Sequence, residues 1–350
     1  MSERRSASSA VTAFVVASRY LPVYIAIALL AVVAWIWAPE TLRSPGLRAI
    51  APFGTFLAIT ALGQMLVVMT GGIDLSVPGT FTLAAVVTVG VGNASDDRLW
   101  TAIGVALLFA ALVGLVNGIL IGGLGLNALI VTLAVGQIVS GIAFRYYTGV
   151  AIQTPVPEGL SEWTSTRFLG VARTFWVGVA ITLVLIVVFR FTTPGRRFQA
   201  VGANPMASWI AGLRVNLNQV SAYVLAAVLY GVGGILLASF LGTPSISLGA
   251  PYLLGPIAAV VIGGASLTGG LASPMSTWAA AFFLAGLNQM MRVMGLPTAL
   301  QFVVFGLVII GGMLVSGDRI IRGVEQVLRE RRRPAPVATQ AIGRIGEGTR

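Results

Sequence analysis

The side chains that could do chemistry in this chain are amides, hydroxyls and a few acids. All 22 basic residues are arginine, and the 350 residues include no histidine and no cysteine. Without those two residue types, a zinc site with its usual nitrogen and sulfur ligands, a thiol nucleophile and a Ser-His-Asp triad are excluded. Without lysine, the chain lacks the phosphate loop with which many ATPases bind ATP. We therefore expect no catalytic residue, no metal site and no bound cofactor.

Amide and hydroxyl side chains recur inside long apolar stretches of the sequence. Such groups can form hydrogen bonds with a hydroxyl-rich cargo without the cost of burying a charge. A path lined by them therefore suits a sugar better than an ion. The alternative role for each of these side chains is a hydrogen bond that joins two helices. Asn117 is a further amide inside an apolar stretch, with the same two possible roles. The residues that we predict to line a path through a membrane are Gln64, Asn127, Thr132, Gln137, Asn288 and Gln289.

A break in the apolar pattern surrounds Asp74, between Thr70 and Gly79. Gly71 and Gly72 permit a close turn there, and Asp74 or Ser76 can accept hydrogen bonds from the free N–H groups of a following helix. An acid beside membrane spans is a functional candidate by default. The alternative is that Asp74 only caps the helix. Either way, the glycines and the acid predict that one helix ends and another begins at this point.

The elements that must position these residues are membrane-spanning helices. Hydrophobic residues make up 57% of the chain and charged residues only 9%, and the apolar runs have the length of about 20 residues that a helix needs to cross a bilayer. We predict an all-α, polytopic bundle of about ten helices, or nine and a partial one if the break at Asp74 is re-entrant. The predicted spans are 20–38, 49–70, 76–92, 99–122, 127–147, 174–192, 217–241, 252–270, 274–293 and 297–316.

Arginine is concentrated in three segments that fall on one side of a ten-span bundle. These are an N-terminal tail, 1–19, a loop, 193–216, and a C-terminal tail, 319–350, which flank and interrupt a membrane domain, 20–318. Because positive residues favour the cytoplasmic side, we expect both termini in the cytoplasm. The C-terminal tail has no apolar periodicity and is expected to be disordered. These tails and loops account for the net charge of +11 without a nucleic-acid partner.

Two segments share the spacing I-x-L-x-x-P, namely 73–78 and 246–251, and each precedes an apolar span. In the ten-span arrangement the first lies on the cytoplasmic side and the second on the opposite side. That relation predicts an inverted internal repeat.

Gly114, Gly118 and Gly122 recur every four residues and so occupy one face of the fourth span. Small residues at this spacing let two helix backbones approach closely. We expect this face to pack against another helix, with the lining of a pore as the alternative.

The loop 193–216 contains a short amphipathic helix in our prediction. Asn204 can cap a helix whose first residue is Pro205. At helical spacing that helix carries an apolar face with no transmembrane role. Its members are Met206, Trp209, Ile210 and Leu213. The face indicates a cytoplasmic protein partner, and the alternative is that it lies on the lipid surface.

Three motifs resemble the permease subunits of ribose/xylose-type ABC sugar importers, a family within the superfamily that includes branched-chain amino-acid permeases. Gly71-Gly-Ile-Asp-Leu-Ser-Val77 is similar to a signature of the sugar permeases, and Gly202-Ala-Asn-Pro-Met-Ala207 with Ala211-Gly-Leu213 is similar to their cytoplasmic loop. The run 257–270 resembles a third family motif. The resemblance covers about residues 50–316. The chain departs from the family pattern at 78–80, 208, 213 and 271–273, which leaves the cargo open.

The resemblance implies a permease subunit that forms the path for a small sugar, either a pentose, a hexose or a polyol, in a bacterial inner membrane. It implies three partners: a cytoplasmic ATPase that holds the ATP and magnesium, a sugar-binding protein outside the cytoplasm, and a second permease copy. By the same resemblance, the residues of the family signature at the helix break are Gly71, Gly72, Asp74 and Ser76. The coupling helix that docks on the ATPase contains Gly202, Asn204, Ala207, Trp209, Ala211, Gly212 and Leu213.

Other functions remain as alternatives. A permease of the same superfamily could carry a nucleoside or a branched-chain amino acid. A secondary transporter driven by an ion gradient needs ionisable groups inside the membrane, and Asp74 is nearly alone there. A membrane-bound enzyme needs converging acid, base or nucleophilic residues, which the sequence does not contain.

Overall fold

The structure is a computed structural model, and it describes residues 2–151 and 154–316. Within these residues, helices follow one another along the chain with a single two-stranded hairpin, β1 and β2, whose strands are antiparallel. The elements are α1 Ser2–Trp37, α2 Ser44–Met69, α3 Val77–Gly92, α4 Leu99–Gly118, α5 Ala128–Tyr146, α6 Glu158–Ser165, β1 Arg167–Phe168, β2 Val171–Ala172, α7 Arg173–Phe191, α8 Thr193–Ala203, α9 Pro205–Ile210, α10 Val215–Leu241, α11 Gly255–Ile262, α12 Pro274–Val293 and α13 Thr298–Ser316.

The helical bundle confirms the predicted all-α, polytopic fold. In the described part of the chain, six segments are both long enough and apolar enough to cross a membrane: Arg19–Trp37, Ser44–Met69, Asp96–Gly123, Ala128–Gly149, Arg173–Phe191 and Val215–Leu241. α12 has a similar length of 20 residues. The helix α1 begins at Ser2 rather than at the predicted residue 20. The predicted tail 319–350 lies outside the described residues.

The eighth predicted span, 252–270, is wrong in its length. The helix there, α11, contains only 8 residues, or about 12 Å at 1.5 Å per residue, which is less than half of a bilayer core of roughly 30 Å. The helix stops at a glycine pair whose second member, Gly264, has a φ of +81°. A positive φ is not helical and favours glycine. α11 is therefore a partial helix, and α3, which follows the break at Asp74 and has 16 residues, is also shorter than the six membrane-spanning segments.

The centre of the bundle is α2, in which every residue from Gly54 to Met69 is buried. The long helix α10 packs against α2, α3 and α4, and α12 packs along the other side of α2. In contrast, α5 and α7 leave large apolar side chains such as Ile138 and Leu183 exposed. Apolar side chains on the outside and packed helices on the inside are what a lipid environment requires.

The glycine face of the fourth span packs against α10, which confirms the prediction of close helix packing. A Cβ atom added to Gly114 would lie 2.7 Å from the Cα atom of Val224, and one added to Gly118 would lie 2.8 Å from the Cα atom of Val220. A Cβ atom on Gly122 would lie 2.9 Å from the Cβ atom of Gln219. Two turns of α4 and the π-helical turn that follows it thus pack closely against α10.

This contact predicts a strong difference between two glycines of the same helix. Gly114→Ala is expected to lower the free energy of unfolding by about 1–3 kcal/mol, because the added methyl group meets backbone atoms that cannot move aside cheaply. Gly104 has open space around it, so Gly104→Ala is expected to be neutral or slightly stabilising. Thermal unfolding of both variants in detergent measures the difference, and equal midpoints would contradict the close packing of α4 on α10.

The two segments with the shared I-x-L-x-x-P spacing lie in contact, because a Cβ atom added to Gly249 would overlap the carbonyl oxygen of Pro78. Their placement on opposite sides of the membrane and the inverted repeat stay predictions. The N–H group of Gly249 donates to the hydroxyl oxygen of Thr82 at 3.1 Å. Phe81 and Tyr252 are stacked, with ring centroids 4.4 Å apart. Because α11 is so short, the loop that leads to it must enter the bundle to reach its first residue. It meets the first turns of α3 there.

Candidate docking helix and buried helix break

The loop predicted over 193–216 begins with a helix that the sequence did not reveal. α8 is capped by Thr192, whose hydroxyl oxygen accepts a hydrogen bond from the N–H group of Gly195 at 3.3 Å. Phe198 is buried on the inner face of α8, with its ring centroid 5.7 Å from that of Phe189 in α7. The helix is therefore fixed to the end of the membrane bundle rather than projecting from it.

The short helix α9 forms as predicted, from Pro205, with Asn204 as its cap. The side-chain oxygen of Asn204 accepts from the N–H group of Ala207 at 2.9 Å. At the other end, the N–H groups of Gly212 and Leu213 donate to the carbonyl groups of Trp209 and Ser208, both at 2.9 Å. This pair of bonds is a Schellman motif, and it requires the φ of +79° that Gly212 adopts.

The outer face of α9 carries three large apolar side chains that are exposed on the surface of the chain. Met206, Trp209 and Ile210 are 67%, 68% and 74% exposed, whereas Leu213 is half-buried. Ala207, Ala211 and Gly212 are exposed around them. We refer to Met206, Trp209 and Ile210 as the docking face. A compact apolar patch on a rigid, doubly capped helix is the kind of surface that binds a protein partner.

The segment that carries α9 contacts the membrane bundle at Gly202, near the end of α8. There is no space for a side chain at this position, because a Cβ atom would overlap the carbonyl oxygen of Met69 and lie 2.9 Å from the nitrogen of Gly270. The N–H group of Gly270 also donates to the Met69 carbonyl group, at 2.9 Å. Three backbones therefore meet here: the end of α8, the end of α2 and the glycine-rich loop after α11. We call this meeting point the glycine junction.

Asp74 holds the turn that precedes α3. Its side chain is fully buried, and its Oδ1 atom accepts from the N–H group of Ser76 at 2.8 Å and from the hydroxyl group of Ser76 at 2.6 Å. The Asn117 amide donates to the same hydroxyl oxygen at 2.9 Å. Ser76 occupies the cap position of α3 without a capping bond from its side chain. Asp74 is therefore not the cap of α3. It forms an Asx turn that starts two residues before the cap residue, Ser76.

Two of the predicted path residues are engaged with this turn. With its amide oriented to satisfy both atoms, Gln64 bonds the backbone N–H and carbonyl groups of Asp74 and the hydroxyl group of Tyr230, all at 3.1 Å. The hydroxyl oxygen of Thr132 accepts from the N–H group of Leu75 at 2.9 Å. Both side chains are fully buried, and these contacts favour the alternative that they join helices. Asn117 and Tyr230 belong to the same network and were not among the predicted site residues.

We predict that Asp74→Asn is well tolerated and Asp74→Ala is not. Asparagine keeps an oxygen for the Ser76 N–H group, and the Oδ2 atom of Asp74 has no hydrogen-bond partner among the described residues. Alanine leaves the buried N–H group unpaired, which costs about 1–3 kcal/mol. Thermal unfolding of both variants measures this difference. Asp74→Asn as damaging as Asp74→Ala would instead indicate that the negative charge itself is required.

The other predicted path residues do not meet at one place. Asn127 caps α5, with its oxygen accepting from the N–H group of Leu129 at 3.0 Å. Gln137 is exposed on the outer face of α5. Asn288 and Gln289 are half-buried near the end of α12, and only the first of them lines a cavity.

That cavity has a volume of about 410 Å³ and lies between α2, α10, α12, α13 and the loop before α11. Its walls include Phe53, Ser247, Tyr252, Asn288, Arg292 and Phe305. Phe53 precedes Met69 by 16 residues in α2, or about 24 Å along the helix. The cavity is therefore at the end of the bundle opposite the glycine junction and the docking face. In the part of the chain that the structure describes, no group of acids is placed to hold a metal ion.

Comparison with known proteins gives consistent matches over the helical bundle. Residues 47–313 match the family described as branched-chain amino acid transport system / permease component. The L-arabinose ABC transporter permease protein AraH of Azospirillum brasilense is 31% identical over 80% of this chain and 82% of its own length. The ribose import permease protein RbsC of Escherichia coli K12 is 31% identical over 75% and 82%. The autoinducer 2 import system permease protein LsrC of Klebsiella pneumoniae is 30% identical over 86% and 87%. No solved structure matches the chain.

Proposed function

Because this multi-pass membrane chain belongs to the family of branched-chain amino acid transport system permease components, we propose that it forms the translocation path of an ABC importer for a pentose sugar. The observation that carries the proposal is the similarity to two permeases named for ribose and L-arabinose, each at 31% identity over about four fifths of its length. Both of those sugars are pentoses. The amides and hydroxyls inside the spans suit an uncharged, hydroxyl-rich cargo.

The proposal includes three partners. A cytoplasmic ATPase supplies ATP hydrolysis, with ATP and magnesium bound on that subunit, since this chain has no lysine for a phosphate loop. A sugar-binding protein outside the cytoplasm delivers the cargo, and a second permease copy completes the path. The docking face then lies on the cytoplasmic side of a bacterial inner membrane, with both termini on that side.

The glycine junction gives this arrangement a mechanical route. Closure of the ATPase displaces α9, and the displacement reaches α2 through the backbone contact of Gly202 with Met69. It reaches the loop after α11 through Gly270 in the same contact. Packed helices transmit such a displacement as rigid bodies rather than by bending. The motion is therefore delivered to the end of α2 and to the loop that follows α11.

The experiment is uptake in proteoliposomes that contain the chain, its ATPase and its binding protein. We expect ATP-dependent uptake of radiolabelled ribose or L-arabinose, and no uptake when a non-hydrolysable ATP analogue replaces ATP. Uptake of leucine instead of a pentose would favour the branched-chain amino acid alternative that the family description suggests. Uptake that persists without the ATPase and stops when an ion gradient is dissipated would show a secondary transporter and refute the proposal.

A further inference from the structure

The cavity between α2, α10, α12 and α13 combines polar donors with aromatic walls. Its volume of about 410 Å³ falls within the range of roughly 300–1,000 Å³ that is typical of small-molecule sites. We propose that this cavity is a binding site for a monosaccharide, where the cargo is held after it leaves the binding protein. This inference rests on the proposed function and adds to it a specific site and its residues.

The polar side of the cavity is formed by one face of α12. Asn288 and Arg292 are four residues apart in this helix and so point in the same direction. Arg292 makes no ion pair with any described residue; its guanidinium group lies over the ring of Phe53, 5.7 Å from the centroid. Its N–H groups therefore remain available to the hydroxyl and ring oxygens of a sugar. Asn288 adds both a donor and an acceptor.

The other walls of the cavity are largely aromatic. Phe53 and Phe305 come from α2 and α13, and Tyr252 from the loop before α11. Tyr252 is fixed by stacking on Phe81, and the loop around it is fixed by the bond between Gly249 and Thr82. Apolar walls with a few placed polar groups are the common composition of a small-molecule site. A site for a lipid chain needs no amide and no guanidinium group facing its interior.

The position of the cavity agrees with a site that receives cargo. It lies at the end of the bundle away from the docking face, about 24 Å along α2 from Met69. In the proposed orientation, this end of the bundle faces the binding protein. The loop with Tyr252 lines the cavity and packs on the first turns of α3.

The test uses the absence of cysteine from the chain. In the proteoliposomes, Leu241→Cys places the only thiol of the permease in the cavity wall without removing a proposed sugar ligand. Its labelling by a membrane-impermeant maleimide is timed with and without free ribose or L-arabinose. We expect the sugar that is imported to slow labelling at least about tenfold, and sucrose to have no effect. Thr101→Cys is the matched control, since Thr101 is exposed in the first turn of α4, outside the cavity. Its labelling should not change.

A second pair of variants tests Arg292. Combined with Leu241→Cys, Arg292→Leu is expected to raise the sugar concentration needed for half protection at least about tenfold, as hydrogen bonds to a charged group are worth about 1.5–3 kcal/mol. Arg190→Leu is the control, because Arg190 also lies over a phenylalanine ring, 5.9 Å from the centroid of Phe191, but does not line the cavity. It should leave protection unchanged.

The outcomes separate this inference from the proposed function. If the liposomes import neither pentose, the proposed function is wrong. If they import a pentose but that pentose leaves Leu241→Cys labelling unchanged, or protects Thr101→Cys equally, the cavity is not its site. Protection by a long-chain alcohol such as dodecanol, with none by the sugar, would show an apolar occupant and overturn the inference.

Discussion

Trp209→Ala is expected to abolish ATP-driven uptake while the membrane bundle stays folded. Trp209 is the largest member of the docking face and is 68% exposed, so its loss should remove little packing from the bundle. Tryptophan residues at the centre of protein interfaces are often worth about 2 kcal/mol or more. That corresponds to a roughly 30-fold weaker association with the ATPase subunit. Binding of the purified ATPase to the immobilised permease, measured beside uptake, gives the two readouts.

The matched control is Trp100→Ala. Trp100 is 79% exposed at the first turn of α4, so this variant removes an equally accessible tryptophan outside the docking face. We expect it to bind the ATPase normally. If Trp209→Ala retains full uptake and normal ATPase binding, the docking face is not where the motor binds, and a lipid-surface role for α9 becomes the better explanation.

Gly202→Ala should produce the second large effect, of a different kind. Its added methyl group would overlap the backbone carbonyl oxygen of Met69 and crowd the nitrogen of Gly270. Neither atom is the end of a flexible side chain, so α8 must shift at a cost of about 1–3 kcal/mol, or roughly 5- to 150-fold in an equilibrium. Because the docking face is unaltered, we expect the ATPase still to bind and to hydrolyse ATP, with little or no sugar transport.

Gly123→Ala is the control for this prediction. Gly123 lies in the π-helical turn after α4, and an added Cβ atom would be 3.8 Å from the nearest side-chain atom, which is an ordinary contact. Uptake by this variant should match that of the unaltered chain. Normal uptake by Gly202→Ala would mean that the glycine junction tolerates displacement and does not transmit it.

The sequence was informative where a local pattern determines the structure. Asn204 followed by Pro205 and a spaced apolar face defined α9, since capping and periodicity act within one helical turn. The glycine spacing in α4 likewise predicted a packed face. α8 was missed because Pro194 and Gly195 suggest a turn, although proline in the first turn of a helix loses no needed hydrogen bond.

Long-range contacts could not be predicted in the same way. The apolar run 252–270 has the hydropathy of a full span, and only the conformation of its glycines ends the helix after Ile262. The glycine junction unites residues from three distant parts of the chain, around positions 69, 202 and 270. No spacing in the sequence connects them. The role of Gln64 at the Asp74 turn also depends on a tertiary contact.

The short helix α11 has a consequence for how the protein is made. The loops on either side of it expose backbone groups that lipid cannot satisfy. Two of those groups are satisfied by the first half of the chain: Gly249 donates to Thr82, and Gly270 donates to Met69. Residues 242–273 can therefore settle in the bilayer only after α2 and α3 are in place. Synthesis from the N-terminus supplies that order, and the second half expressed alone should fail to insert stably and be degraded.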